Sequence, residues 1–323
     1  MTAPPDPSAS AAPSIDQTAI EQTAPSGQDV AEFQTAPPFQ ITGRGDPAPR
    51  TPLVFASPHS GRVYPQEMMA ASALDSEAIR RSEDVLVDAL VMAAAEHGAV
   101  VITAGYARAY IDVNREPYDL DPSMFEDELP AFARGRSARV AAGLGSIARV
   151  VAEGQEIYRR KLTFADAARR IDTVHAPYHA ALEGLIGEAV AAFGAAVLID
   201  WHSMPSAAAR TLGQSGDFGG AGVCDLVLGD RFGSACAPQI TTVVERELEA
   251  MGYRVARNAP YAGGYTTEFY GRPRNHVHAL QVEINRALYL NEATLEPHAG
   301  FDRLKHDLVR VFAALAAMPV KGL

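Results

Sequence analysis

Three short, unbroken apolar runs constrain this chain more than any other feature: PLVFA at Pro52–Ala56, AVVITAG at Ala99–Gly105 and AAVLID at Ala195–Asp200. None alternates polar with apolar residues, so each reads as a strand covered on both faces, as in a parallel sheet. Between them lie segments with helical spacing. From Asp75 to His97 the apolar residues Ile79, Leu86, Val87, Leu90 and Ala94 recur every three or four positions, with Asp75 as cap and Gly98 as terminator. Further helices are expected over Gly154–Arg170, Ala176–Ala192 and Glu296–Ala316, and further strands over Tyr110–Val113, GYRVARN and HALQVEIN. Strands alternating with helices predict a three-layer α/β/α domain with a central mixed, mostly parallel sheet. TTEFYG followed by HALQVEIN offers a place for antiparallel pairing.

Residues 1–38 are dominated by Ala, Pro, Ser, Thr and Gln, which bury too little apolar surface to offset the entropy of ordering, and read as a tail. A single catalytic domain is expected over 39–323. A formal charge of −11 disfavours partnership with nucleic acid or an anionic membrane, so any anionic substrate must be met by a local basic pocket. Cys224 and Cys236 form neither a CxxC pair nor a disulfide framework, no run approaches the roughly 18 apolar residues of a membrane span, and the N-terminus lacks a secretory layout. A cytoplasmic protein is expected.

In a parallel sheet, ligands bind where strands run out. There the chain carries SPHSG, DVNRE, DWHSMP and VEINR. His59 and His202 each follow an apolar strand and precede Ser and a helix breaker, and two imidazoles in equivalent strand-end loops beside carboxylates point to a metal site. A third ligand is needed. Glu83 and Asp84 both qualify: helical spacing puts Glu83 on the apolar face, whereas a helix starting near Ser82 puts Asp84 in its first turn. Glu283 is the single acid in a buried strand, where it is either paired or a general base with a raised pKa. Arg115, flanked by Asp112, Glu116 and Asp119, is either part of an ion-pair network or a clamp for a substrate carboxylate, with Asn114 beside it. Gly264, Tyr265, Thr266, Arg272 and Arg274 read as a substrate loop. His175 and His179 have metal-binding spacing but lack the Glu of an HExxH element, and read as packing or pocket residues, as do His276 and His278 along a strand. Dinucleotide, phosphate-loop and serine-hydrolase motifs are missing from the sequence.

Taken together, SPHSGRVYP, DVNREPYDLDPSMF, VLIDWHSMPS, LGDRFG, GGYTTEFYG and QVEINRALYL resemble the N-formylglutamate amidohydrolase family, over roughly Pro52 to Arg286. The resemblance implies a zinc-carboxypeptidase-like fold and hydrolysis of N-formyl-L-glutamate to formate and L-glutamate, the end of one histidine-degradation route. It implies one zinc ion held by His59 and His202, Glu283 as general base and Arg115 as polar clamp; from these placements Arg115 and one of Arg272 or Arg274 are expected to hold the substrate carboxylates. The usual HxxE element is broken, because Arg62 stands three residues after His59. The acidic ligand must then come from elsewhere, and Asp84 is the more family-like position, with Glu83 open. Iron, cobalt, nickel or manganese suit the same donors. Rival readings are a zinc hydrolase of another N-acyl amino acid or small peptide, and a non-catalytic metabolite binder on the same fold.

Overall fold

The computed structural model describes residues 36–45, 51–133, 135, 137–151, 154–213 and 223–319. The expected N-terminal tail lies outside the described residues except for 36–38, and the first strand, β1, starts at Phe39 and ends at Thr42. The other strands of the main sheet are β2 (Leu53–Ser57), β3 (Val100–Ala104), β4 (Ala196–Met204), β5 (Leu226–Gly229), β6 (Val255–Arg257) and β7 (Val277–Asn285). They pair in the order β1-β3-β2-β4-β7-β5-β6. The middle four, β3, β2, β4 and β7, are mutually parallel. Antiparallel pairing enters through β1 at one edge and through β5 against β7 near the other. The sheet is therefore mixed with a parallel centre.

Period-2 alternation divides the strands between two cores. Leu53, Phe55, Val197, Ile199, Trp201, Leu280 and Val282 face a layer built from the helices Val87–Val91, Pro238–Ala250 and Gly300–Ala316. Val54, Ala56, Ile102, Leu198 and Ala279 face the opposite layer, where the helix Ala176–Phe193 supplies Tyr178, Leu182 and Leu185. Trp201 closes an aromatic triangle with Phe55 and Phe312, with ring centroids 5.3–5.7 Å apart. That packing fixes β4 one residue before His202, whose side chain leaves on the other face. No helix among the described residues is long and apolar enough to cross a membrane.

Five expected elements differ, one of them only at its start: the helix expected from Glu296 begins at Gly300, because Glu296–Pro297 pairs as a short strand with Leu290–Asn291. The helix over Asp75–His97 breaks into a 3₁₀ segment (Ala78–Ser82), an extended Glu83, a left-handed Leu86 (φ 61°), the short helix Val87–Val91 and a second 3₁₀ segment (Met92–His97). Asp75 still caps its start, accepting from the amides of Glu77 and Ala78, and Gly98 ends it with φ 86°. Tyr110–Val113 is a buried loop, apolar because it packs in the second core. Only Phe164–Arg170 of the segment starting at Gly154 is helical, capped by the Thr163 hydroxyl. TTEFYG lies in the helix Tyr265–Tyr270 rather than a strand.

Candidate metal centre and active site

The two longest strands, β4 and β7, pair over nine residues, from Ala196↔Val277 to Met204↔Asn285. Their neighbour β2 last pairs with β4 at Ala56↔Asp200. The end of β4 therefore projects beyond β2, while β5 flanks β7 on the other side as far as Leu226↔Ile284, and the SPHSG loop after β2 rises beside the end of β4. His59 comes to lie against His202, with ring centroids 4.6 Å apart. Across β4–β7 the register places Glu283 next to His202 and Gln281 next to Asp200, so all four side chains leave one face of the sheet.

The break after Ser82 brings up the acid. The Asp84 amide donates to the His59 carbonyl at 3.0 Å. From the loop after β7, Arg286 donates to the Glu83 carbonyl at 2.7 Å and to Asp84 Oδ1 at 3.1 Å. Asp84 Oδ2 then sits 3.1 Å from His202 Nδ1 and 3.3 Å from His59 Nδ1, and the two Nδ1 atoms are 3.0 Å apart. His59, Asp84 and His202 form a buried group that could hold a metal ion. Glu83 points elsewhere: its carboxylate accepts from Tyr64 Oη at 2.7 Å and Arg80 Nε at 3.0 Å. The extended backbone sends the adjacent side chains in opposite directions, so only Asp84 joins the imidazoles.

Each imidazole is backed by a carboxylate. Asp112 Oδ1 accepts from His59 Nε2 at 2.7 Å, and Asp200 Oδ2 lies 3.0 Å from His202 Nε2. Protons held at both Nε2 atoms leave both Nδ1 lone pairs facing the Asp84 oxygen. The three atoms can converge this closely only with positive charge between them: a proton on Nδ1 that is donated to Asp84 when no cation is bound, or a metal ion in its place. A tetrahedral ion with bonds of about 2.0–2.1 Å spaces its ligands roughly 3.3 Å apart, so the donor set and spacing suit a divalent transition metal.

Charge on the surrounding groups follows from burial and neighbours. Burial alone would raise the Asp84 carboxyl, but hydrogen bonds from His202 and His59 hold it well below the usual carboxylate range. Burial would likewise raise Asp112, and Arg108 beside it reverses the direction. Burial would lower His202, but the charge of Asp200 and hydrogen bonds to it and to Asp84 hold its pKa well above the ordinary value. Glu283 is pushed up to about 7, first by burial and then by the charges of Asp84 and Asp200. It accepts from Gln281 Nε2 at 2.8 Å. A carboxylate with that proton affinity can take and return a proton near neutral pH.

His59, Asp84, Asp112, His202 and Glu283 line a cavity of about 790 Å³, with Asp200 buried behind them. Its lining includes Arg81, Arg108, Arg115, Arg139, Arg231 and Arg286. Asn114 and Arg115 both line it, Asn114 accepting from the Thr266 amide at 2.8 Å and donating to Asp200 at 3.3 Å. Gly264 lines it as well, and a Cβ there would come within 2.7 Å of the Asn114 amide, so glycine is what allows that approach. Four expected substrate residues do not line the cavity, among them Thr266, which is fully buried and meets Asn114 through its backbone amide. Tyr265 turns away to stack on Phe269, with ring centroids 5.3 Å apart. Arg272 and Arg274 are exposed just before β7 begins, at the opposite end of the sheet from His202 and Glu283, and correct the expectation of a substrate clamp there. Arg286, Asp200 and Arg139 were missed by sequence reasoning. For Asp200 a signal existed: it stands two residues before His202 in a strand and so shares its face.

The profile of the N-formylglutamate amidohydrolase family matches residues 51–290. Two curated relatives, N-formylglutamate deformylases of Pseudomonas putida and Pseudomonas aeruginosa, are each 28% identical over 251 and 247 residues, covering 75% of this chain and 83% and 84% of theirs. A crystal structure of an N-formylglutamate amidohydrolase from Ralstonia eutropha superimposes with a TM-score of 0.79 at 37% identity, covering 87% of this chain and 98% of that one. With the matched residues spanning β2 to β7 and every side chain of the buried cluster, the chain belongs to the N-formylglutamate amidohydrolase family.

Proposed function

We propose that this protein hydrolyses N-formyl-L-glutamate to formate and L-glutamate, closing one route of histidine degradation, with one zinc ion held by His59, Asp84 and His202. The observation that carries the reading is the convergence of three candidate ligand atoms, two of them on carboxylate-backed imidazoles, beside Glu283 in an arginine-lined cavity. The relatives named deformylases support the same substrate. Bound in this cluster, the ion supplies Lewis acidity to the formyl carbonyl and to the attacking water. Glu283 takes a proton from that water as its oxygen adds to the formyl carbon. The C–N bond then breaks, and Glu283 returns the proton to the departing nitrogen. Formate leaves, and the glutamate amine carries away the second water proton.

The substrate brings two carboxylates, and the arginines would hold them. Arg115 is one clamp. Arg139 takes the place first expected of Arg272 or Arg274: it lines the cavity, its charge repels that of Arg115, and among the described residues it forms no salt bridge. Asp112 is already engaged by Arg108 at 2.7 Å, so this end of the cavity carries surplus positive charge.

Amine release from N-formyl-, N-acetyl- and N-succinyl-glutamate and from N-formyl-aspartate, with elemental analysis of protein purified without chelator, tests the reading. We expect stoichiometric zinc and the highest kcat/KM for N-formyl-glutamate. The cavity volume also admits larger acyl groups, so a higher kcat/KM for another acyl compound replaces the substrate and keeps the hydrolase. Protein without bound metal and without turnover of any compound is a metabolite binder.

A further inference from the structure

We propose that His175 and His179 are positioning residues that clamp the backbone on either side of Asn114 and so aim Asn114 and Arg115 into the cavity. The proposal rests on the reading above for the role of Arg115 and on the following geometry for the clamp itself. The helix Phe164–Arg170 runs into Ala176–Phe193 through one widened, π-type turn over Ile171–His175. Such turns insert an extra residue and re-aim side chains, and they recur at functional sites. Here the two imidazoles emerge on one face with ring centroids 4.4 Å apart.

Their Nε2 atoms reach two carbonyls that are themselves two residues apart. His179 Nε2 is 2.7 Å from the Val113 oxygen, and His175 Nε2 is 2.9 Å from the Arg115 oxygen. A carbonyl only accepts, so both Nε2 atoms must carry the proton. The opposite nitrogen of His179 then accepts from Tyr270 Oη, at 2.9 Å. Tyr270 ends the helix Tyr265–Tyr270, and the amide of Thr266 in the same helix donates to the Asn114 side chain at 2.8 Å. Residues 113–115 are thus gripped from the carbonyl side by two imidazoles and from the Asn114 side chain by the helix that also anchors one of those imidazoles.

The grip passes inward. The Asn114 backbone N–H donates to Asp112 Oδ1 at 2.8 Å, and that same oxygen accepts from His59 Nε2. Neutral imidazole suits the task, because a cation here would repel Arg115. Burial lowers both imidazoles, His179 to about 3. The i, i+4 histidine pair therefore has a role without being a metal site: it fixes a loop whose own residues form no regular element.

The test compares His175→Gln, His175→Leu, His179→Gln and His179→Leu in the full chain. A glutamine amide can donate from near the Nε2 position, and leucine cannot. We expect the Leu variants to keep bound zinc, to speed amide hydrogen exchange in residues 113–116, and to raise KM for N-formyl-glutamate on the order of 10–100-fold. The Gln variants should return most of both effects. In an Arg115→Ala background the His175→Leu change should add little to KM, because the group it aims is gone. Unchanged exchange in both Leu variants, equal damage from Gln and Leu, or full additivity with Arg115→Ala each overturn the proposal. The exchange measurement needs no substrate, so absent wild-type turnover would sink the functional reading alone and leave the clamp to be judged on its own data.

Discussion

Asp200 lies in the floor of the site, fully buried, and its side-chain partners among the described residues are His202 at 3.0 Å and Asn114 at 3.3 Å. Replacing it by Asn keeps the shape and removes the charge. The imidazole then loses a charge-assisted hydrogen bond, worth about 1.5–3 kcal/mol net, and retains a neutral one of about 0.5–1.5 kcal/mol. The difference of about 1–1.5 kcal/mol predicts roughly five- to fifteenfold weaker metal binding, at the lower edge of the 10–100-fold typical when a ligand's carboxylate partner is changed. Stability should follow. Metal at about 100 times Kd stabilises by about 2.7 kcal/mol, and a tenfold weaker site at the same concentration by about 1.4 kcal/mol. With about 2–4 °C per kcal/mol for a domain of this size, zinc should raise the wild-type melting temperature by about 5–11 °C and that of Asp200→Asn by about half as much. Competition with a chromogenic chelator gives Kd, and melting with and without zinc gives the linked shift. Asp84→Asn, which removes a ligand atom, should abolish both effects, whereas Asp88→Asn, which breaks the Arg62 pair at the surface, should alter neither. An Asp200→Asn protein that binds zinc within twofold of wild type would refute the argument that this carboxylate holds the imidazole for the metal.

Glu283→Gln should keep stoichiometric zinc and lose about 10²–10⁴-fold in kcat, and full turnover in that variant removes it as the base. Arg139→Ala should raise KM for N-formyl-glutamate at least tenfold more than for an analogue lacking one carboxylate, while Arg272→Ala and Arg274→Ala leave both unchanged; parallel losses on both substrates would show that Arg139 shapes the protein rather than reads charge. Because Glu283 must be ionised to accept a proton, kcat/KM should fall as pH drops through its pKa. That pKa is about 7 before any cation is counted, and a divalent cation beside it favours the ionised form, so the acid limb of the loaded enzyme should lie below 7; a pH–rate profile flat down to pH 4 contradicts the assignment.

What could be read from the sequence divides according to how far a side chain's determinants lie along the chain. The parallel strands were legible because burial on both faces leaves uninterrupted apolar runs, and the ends of those runs located His59, His202 and Glu283 without any tertiary information. The choice between Glu83 and Asp84 was not legible, because what decides it is remote: Arg286 pulls on the Glu83 carbonyl from more than 200 positions away, and Tyr64 captures the Glu83 carboxylate. Those contacts outweigh the helical spacing that runs through Ile79 and Leu90, and the chain breaks to set Asp84 between the imidazoles. The misplacement of Arg272 and Arg274 has the opposite origin. They are close in sequence to Glu283, but β7 is nine residues long, and at about 3.3 Å per residue its two ends are separated by roughly the thickness of the domain core. Nearness in sequence along a strand is therefore evidence of separation across the sheet. The same geometry makes Asp200 informative, because two residues along a strand is the one short spacing that returns a side chain to the same face. A buried acid two positions before a strand-end histidine is thus a sequence-level pointer to a metal ligand's orienting partner.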